Sequence, residues 1–250
     1  MTVTIHVPRP GLCAVVPVKA FASAKRRLQA RCTPAQRATL ARLMLQDVLE
    51  VLLAVEGLQR VLVVTADPAA AAVACRSGAA VFEEPAPGGL NAALGAVAGH
   101  LQARGWGGML IVPGDVPGLT RAEVSRVIAA HQAVCATAGG VTLVPAHDRG
   151  GTNTMAISPP EALRPSFGCD SFARHRRGAR AAGLPARTLC LPGLGLDLDR
   201  PEDLARFSGL ASPTRTWHFL QSLAPGIAGD ACSLIPAQRA RAPALHECRP

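Results

Sequence analysis

The feature that most constrains this chain is a regular alternation of short, solid apolar runs with longer stretches of helical periodicity. Cys13–Val18, Arg60–Thr65, Ala80–Phe82, Met109–Val112 and Val141–Pro145 are each too short for a buried helix and rich in β-branched residues. Because they are apolar on both faces rather than alternating, they read as strands covered on both sides. Between them lie stretches with helix punctuation. Thr33-Pro34-Ala35-Gln36 offers an N-cap, a proline at the first helical position and a glutamine closing a capping box, and it opens a helix expected over 34–54. Asp67-Pro68 opens a shorter helix that stops at Ser77-Gly78, Gly88-Gly89-Leu90-Asn91 opens one reaching about Arg104, and Thr120 with Glu123 forms a second capping box for a helix over 121–136. Strands and helices in strict alternation predict an α/β fold, a mostly parallel sheet with helices on both faces.

Past Pro165 the order loosens. Thr154–Ser158 and Thr188–Leu191 read as further strands, Ser171–Ala182 as a basic helix with Ser171 at its N-cap, and Gly195-Leu196-Asp197 as an edge element. Asp199-Arg200-Pro201-Glu202 reads as the cap of a last short helix ending at Gly209, with Asp199 as N-cap. Beyond 209, prolines at 213, 225, 236, 243 and 250 interrupt the chain, and Trp217–Leu223 alone has helical character. The expected organisation is one domain over 11–209 and a weakly structured tail over 210–250.

Composition narrows the function. With 49% hydrophobic and 17% charged residues the chain can bury a large core, built from aliphatic side chains because aromatics are 3% and tyrosine is absent. The net charge of +9 points to anionic partners, while the shortage of stacking side chains argues against single-stranded nucleic acid. The 8 cysteines are scattered without a C-x-x-C pair, which disfavours zinc and suits small buried hydrophobes in a reducing compartment. No signal peptide or membrane-length apolar run is seen.

Chemistry-bearing residues gather where strands end. Leu110-Ile111-Val112-Pro113-Gly114-Asp115 carries one carboxylate just past a central strand, where open α/β sheets bind ligands. The glycine fingerprints of dinucleotide and P-loop folds are absent, and Lys19, Lys25 and Arg27 stand in that place instead, able to clamp several phosphate oxygens. Asp197 ends an apolar stretch without a capping role and can share a hard cation with Asp115. Two polar loops, His147–Thr154 and Phe167–His175, have the glycines and hydroxyls of anion sites, although a plain hairpin and a plain helix cap would use the same residues. His175, among Arg174, Arg176 and Arg177, reads as part of a solvated basic face.

Taken in order, Val-Pro-Val-Lys19, Ala-Lys25-Arg-Arg27-Leu, Gly89-Leu90-Asn91-Ala-Ala-Leu94, Pro-Gly-Asp115-Val-Pro, Arg149-Gly-Gly-Thr152-Asn153-Thr154, Phe167-Gly168-x-x-Ser171-Phe-x-x-His175 and Asp197-Leu-Asp199-x-Pro-Glu-Asp203-Leu resemble the guanylyltransferases of coenzyme F-420 biosynthesis. The resemblance runs from about Leu12 to Phe207. It implies the three-layer, Rossmann-like nucleotidyltransferase fold and the joining of GMP from GTP to the phosphate of a three-carbon acid, with release of pyrophosphate. Family members use 2-phospho-L-lactate, phosphoenolpyruvate or 3-phospho-D-glycerate. By resemblance, Lys25 and Asp115 are catalytic, Lys19 and Arg27 neutralise nucleotide phosphates, and Gly89, Leu90 and Asn91 border guanine and ribose. Asp115 and Asp197, with Asp199 as the alternative to Asp197, would hold Mg²⁺, and Thr152, Asn153, Thr154, Gly168 and Ser171 the phospho-acid. Asn153 replaces a glycine of some members and Gly114 a common alanine. A cytoplasmic enzyme is implied, with homodimer formation and a downstream transferase consuming the labile product as further expectations, and with no nucleic acid or membrane partner. The alternatives are a related nucleotidyltransferase for another acceptor and a nucleotide- or nucleic-acid-binding protein without enzymatic activity.

Overall fold

The computed structural model describes residues 11–83, 88–135, 139–210 and 212–223. Its centre is a seven-stranded sheet in the order β3-β2-β1-β4-β6-β5-β7. The strands are β1 (Leu12–Pro17), β2 (Leu58–Thr65), β3 (Ala80–Glu83), β4 (Gly108–Ile111), β5 (Gly140–Pro145), β6 (Thr152–Ser158) and β7 (Ala186–Thr188). The helices are α1 (Pro34–Leu53), α2 (Pro68–Ser77), α3 (Leu90–Ala103), α4 (Arg121–Val134), α5 (Ser171–Ala181), α6 (Pro201–Ser208) and α7 (Arg215–Ser222). Among the described residues no helix is long and apolar enough to cross a membrane.

The solid apolar runs are buried on both faces. Leu12, Ala14 and Val16 of β1, with Leu110 of β4, meet α1, α2, α4, α6 and α7 on one side. Cys13 and Val15, with Met109 and Ile111, meet α3 and α5 on the other. Helix α1 follows from its start signals: Gln36 N–H donates to Thr33 Oγ1, and Thr33 N–H to Gln36 Oε1. Its Leu40, Met44, Leu45, Val48, Leu49 and Leu52 are all shielded from water, and each such side chain stabilises the fold by about 1.5–3 kcal/mol.

Two topological facts place the site. The chain runs outward from β1 to β2 to β3, then returns to β4 on the opposite side of β1, which opens a crevice between the carboxyl ends of β1 and β4. Strand β6 is antiparallel to both β4 and β5, so its first residues lie at the carboxyl edge of its neighbours. Thr152 pairs with Pro145 and Thr154 with Val144, which leaves Asn153 as the extra residue of a β-bulge at that edge.

Several boundaries differ from the sequence expectation. Strand β6 starts two residues earlier than expected, and β7 lies at Ala186–Thr188 rather than 188–191. Gly195–Asp197 is not a strand but an irregular segment crossing the carboxyl edge. The expected end of α4 at Ala136 lies outside the described residues; the helix is described to Val134. The cysteines are not uniformly small buried hydrophobes: Cys13 and Cys32 are buried, Cys75 and Cys169 are exposed, and Cys190 is disulfide-bonded.

The folded body continues past Gly209. Helix α7 packs on α1, and buried Asp47 of α1 accepts hydrogen bonds from Thr216 N–H (2.9 Å), Thr216 Oγ1 (2.6 Å) and Arg215 N–H (3.1 Å). The part of the expected tail from 224 to 250 lies outside the described residues. Replacing Asp47 by Ala would strand the buried Thr216 hydroxyl and N–H, a cost of about 3 kcal/mol. The expected fall in Tm is roughly 6–12 °C. Arg215→Ala, whose guanidinium is half exposed, should cost less than about 1 kcal/mol. Thermal unfolding of the two variants by circular dichroism checks the contrast; equal shifts would mean that Asp47 does not anchor α7.

Candidate active site

Lys25 comes first in building the site. The loop after β1 is pinned at both ends by buried Phe21 and Leu28, and Phe21 N–H donates to Asp67 Oδ2 (2.8 Å) beyond β2. Between these anchors Lys25 adopts a left-handed backbone, φ +56°, followed by a 3₁₀ turn over Arg26–Leu28. A non-glycine residue held there costs energy unless its surroundings fix it. Its side chain, 6% exposed, is fixed by two ion pairs: Nζ lies 2.6 Å from Asp115 Oδ2 and 2.7 Å from Asp199 Oδ1.

The two carboxylates reach Lys25 from distant parts of the chain. Asp115 follows the Pro113-Gly114 turn beyond β4, where Gly114 sits against Val18 and Leu45. The segment 191–199 is drawn alongside it by Leu198 N–H, which donates to the Asp115 carbonyl (3.1 Å). Leu198 is wholly buried, and Asp197 and Asp199 flank it. Three further side chains shape the segment. Glu123 accepts from Gly193 N–H (2.9 Å) and Leu194 N–H (3.1 Å). Gly193 passes so close to Gly118 that a Cβ would meet its carbonyl oxygen. Asp203 Oδ2 accepts from Asp199 N–H (3.1 Å) and Arg200 N–H (2.8 Å). The bulged Asn153 donates through Nδ2 to the Leu194 carbonyl (3.1 Å) and to Asp197 Oδ1 (3.2 Å).

The electrostatics divide the three aspartates. Burial pulls the Lys25 pKa down, but Asp115 and Asp199 outweigh it and hold the ammonium above its ordinary range. Burial likewise raises Asp199, yet Lys25, Arg27 and Lys19 together carry it below the usual carboxylate value. Arg27 Nη1 lies 3.4 Å from Asp199 Oδ2, with its own side chain largely exposed. Among the described residues no cation pairs with Asp197: burial and then the neighbouring Asp115 raise its pKa, with Asn153 only partly opposing them. A site with three carboxylates and one buried ammonium has unmet demand for positive charge at Asp197. Two hard oxygen donors at Asp115 and Asp197 fit Mg²⁺, which takes one or two carboxylates and completes its shell with water and phosphate. Among the described residues no three acidic, histidine or cysteine side chains form a metal cage by themselves.

The second polar cluster adjoins the first through Asn153. Thr152 N–H donates to Ser171 Oγ (2.8 Å), and Thr152 Oγ1 lies 2.9 Å from His175 Nδ1. His175 Nε2 accepts from Ser166 N–H (2.9 Å). Gly168, at φ +120°, allows the tight turn from Phe167 into α5. Asn91 spends its amide on Phe167, accepting from its N–H (2.7 Å) and donating to its carbonyl (3.0 Å). Gly89 is the N-cap of α3 at φ +77°, and within the expected nucleotide-binding stretch Gly89-Leu90-Asn91 it is Asn91 that ties the helix start to Phe167. Lys19 is exposed, near enough to act on Asp199 electrostatically.

Three readings of the sequence change. Asp199 is not the N-cap of α6: Arg200 holds that position, and the Asp199 carboxylate is committed to Lys25. Ser171 is not the N-cap of α5: Asp170 is, in a left-handed conformation, and the Ser171 hydroxyl faces Thr152. His175 is 1% exposed and belongs to no solvated face. Thr154 is fully enclosed, its hydroxyl without a partner among the described residues. Sequence reasoning also passed over Glu123 as a site residue. The signal was present, since Thr120 Oγ1 accepts from Glu123 N–H as in a capping box, but the carboxylate turns away to Gly193 and Leu194.

Comparison with known proteins agrees with this geometry. The family model described as "Guanylyl transferase CofC like" matches residues 12–234. The phosphoenolpyruvate guanylyltransferase of Sphaerobacter thermophilus is 39% identical over 198 residues, covering 79% of this chain and 93% of that one. The 3-phospho-D-glycerate guanylyltransferase of Phenylobacterium zucineum is 35% identical over 213 residues, covering 84% and 95%. Among solved structures, a nucleotide-diphospho-sugar transferase of Desulfovibrio desulfuricans superposes with a TM-score of 0.69 at 18% identity, over 86% of this chain and 96% of that one. A nucleotidyl transferase of Methanothermobacter does so at 0.58 and 16%, over 85% and 99%. These two establish the fold, and the family match and curated relatives go further: the chain belongs to the CofC-like guanylyl transferase family.

Proposed function

We propose that this enzyme transfers GMP from GTP to the phosphate of a three-carbon phospho-acid and releases pyrophosphate, a step of coenzyme F-420 biosynthesis in the cytoplasm. The observation that carries the reading is the buried Lys25 ammonium between Asp115 and Asp199, with Asp197, two residues before Asp199, hydrogen-bonded to Asn153, the neighbour of Thr152 in the Thr152–Ser171 cluster. This arrangement supports a cation site and an anion site side by side at the carboxyl edge of β4 and β5. Relatives that use phosphoenolpyruvate and 3-phospho-D-glycerate make these the first acceptors to test.

The chemistry asks for alignment and charge neutralisation. An oxygen of the acceptor's phosphate attacks the α-phosphorus of GTP, and the bond from that phosphorus to the pyrophosphate oxygen breaks. The attacking oxygen is already ionised at neutral pH, so no general base is needed. Lys25 would meet the charge that builds at the α-phosphate, with Lys19 and Arg27 on the outer phosphates. Asp115 and Asp197 would hold Mg²⁺, whose role is to neutralise and orient the phosphates. Gly89, Leu90 and Asn91 would border guanine and ribose. Thr152, Gly168 and Ser171 would seat the phospho-acid, with Asn153 between them and Asp197, and with Thr154 enclosed beneath.

The reading is tested by Mg²⁺-dependent pyrophosphate release, crossing GTP, ATP and CTP with the three candidate acids and trapping the labile product with a downstream transferase. GTP with one of the acids should give turnover, and no release from any pair would overturn the assignment. In the same assay Asp115→Asn should lower kcat by at least about 100-fold while the far-ultraviolet circular dichroism stays that of the wild type. Undiminished turnover would reduce Asp115 to a turn residue. Lys25→Met should lose a similar factor in kcat; a loss confined to the KM for GTP would place Lys25 in binding alone.

A further inference from the structure

His175 is a buried polar side chain to which the proposed chemistry gives no part, yet both its ring nitrogens are engaged with segments of the anion cluster. It lies in the first half of α5, 1% exposed. Nε2 faces the backbone N–H of Ser166 at 2.9 Å, and Nδ1 faces Thr152 Oγ1 at 2.9 Å. The Phe167 ring meets the imidazole edge to face, centroids 4.9 Å apart. Arg174 grips the same turn from outside, its Nη2 2.9 Å from the Ser166 carbonyl.

The hydrogen-bond directions follow from chemistry. A backbone N–H can only donate, so Nε2 must be the acceptor and carries no proton. The neutral ring then has its proton on Nδ1, which donates to Thr152 Oγ1. Burial, helped by Arg174, favours this neutral form and lowers the His175 pKa to about 4. With one lone pair of Thr152 Oγ1 taken by His175, the hydroxyl's own proton is left to donate to a third group. Thr152 N–H is meanwhile fixed on Ser171 Oγ. A histidine needed only to fill volume could be replaced by an apolar residue without loss; one that sets the direction of a hydroxyl cannot.

We propose that His175 is a positioning residue for the acceptor: it turns the Thr152 hydroxyl into a donor aimed at an anionic oxygen of the phospho-acid and clamps the Ser166–Gly168 turn to that hydroxyl. The assignment rests on the acceptor site placed at Thr152, Gly168 and Ser171 above. It predicts that His175 governs acceptor affinity and leaves nucleotide affinity alone.

The test is steady-state kinetics of the full chain and of His175→Ala, His175→Asn and His175→Gln, varying GTP and the acceptor separately. The Asn amide nitrogen can stand where Nδ1 stands and donate to Thr152; the Gln amide oxygen can stand where Nε2 stands and accept from Ser166. His175→Ala should raise the acceptor KM about tenfold or more, with the KM for GTP within about twofold of wild type. His175→Asn should recover most of that loss and His175→Gln little of it. Combining His175→Ala with Thr152→Val should add nothing to the acceptor KM beyond the larger single effect. Should His175→Ala fail to fold, the contrast between Asn and Gln decides the matter. Equal behaviour of Asn and Gln, a parallel rise in both KM values, additive double-variant effects or an unchanged acceptor KM would each overturn the role given to His175. A wild-type enzyme inert toward every phospho-acid would overturn the parent reading and this one with it; an active wild type with an indifferent His175→Ala overturns this one alone.

Discussion

The fold converges on one ammonium group. Lys25 Nζ joins the loop after β1 to the turn after β4 and to the segment before α6, partners 90 and 174 residues away in sequence. Taking a lysine and two carboxylates out of water is costly, and their mutual attraction repays it only when the geometry is tight. Here both contacts are under 3 Å and the ammonium is held above its ordinary pKa. Such a cluster is poor evidence for stability. It makes better sense as a charge array that a polyphosphate and its counter-ion rearrange, and the residual demand at Asp197 points the same way.

Around that centre the chain commits side chains to holding irregular backbone. Segment 191–199 belongs to no strand or helix, yet it is held by Glu123, Asn153, Asp203 and the Asp115 carbonyl. Irregular backbone at an active edge is stable when its polar groups are satisfied this way. The β-bulge at Asn153 has the same logic, because it re-aims one amide so that Leu194 and Asp197 share it. The two halves of the site are thus coupled through β6, whose antiparallel course sets Thr152 and Asn153 beside the carboxyl end of β4.

The layered α/β fold was legible because burial on both faces writes solid apolar runs, and because Thr33, Asp67 and Thr120 carry start signals that local geometry enforces. Sheet order was not legible, since an isolated run such as Thr154–Ser158 carries no mark of its neighbours; the antiparallel course of β6 on β5 was open only through the hairpin reading of the His147–Thr154 loop. Lys25, Asp115 and Asp197 stood out in the sequence because charged residues at strand ends are few. Asp199 stood between two readings, helix cap and alternative to Asp197 at the metal, since Asp before Arg-Pro satisfies every local rule for an N-cap. Its ion pair with Lys25 is a contact across 174 residues that no local rule contains. Ser171 and His175 failed in the same manner: capping and a basic face were adequate local explanations, and the partners that displace them, Thr152 and Ser166, come from packing.

The central assignment, that Asp115 and Asp197 are the metal corner of a GTP site, is open to direct measurement by electron paramagnetic resonance titration of Mn²⁺ in the presence of GTP. The wild-type chain should take up Mn²⁺ with GTP, and Asp197→Asn should weaken that uptake by about tenfold or more, equivalent to about 1.4 kcal/mol. Mn²⁺ affinity unchanged in both Asp115→Asn and Asp197→Asn would contradict it.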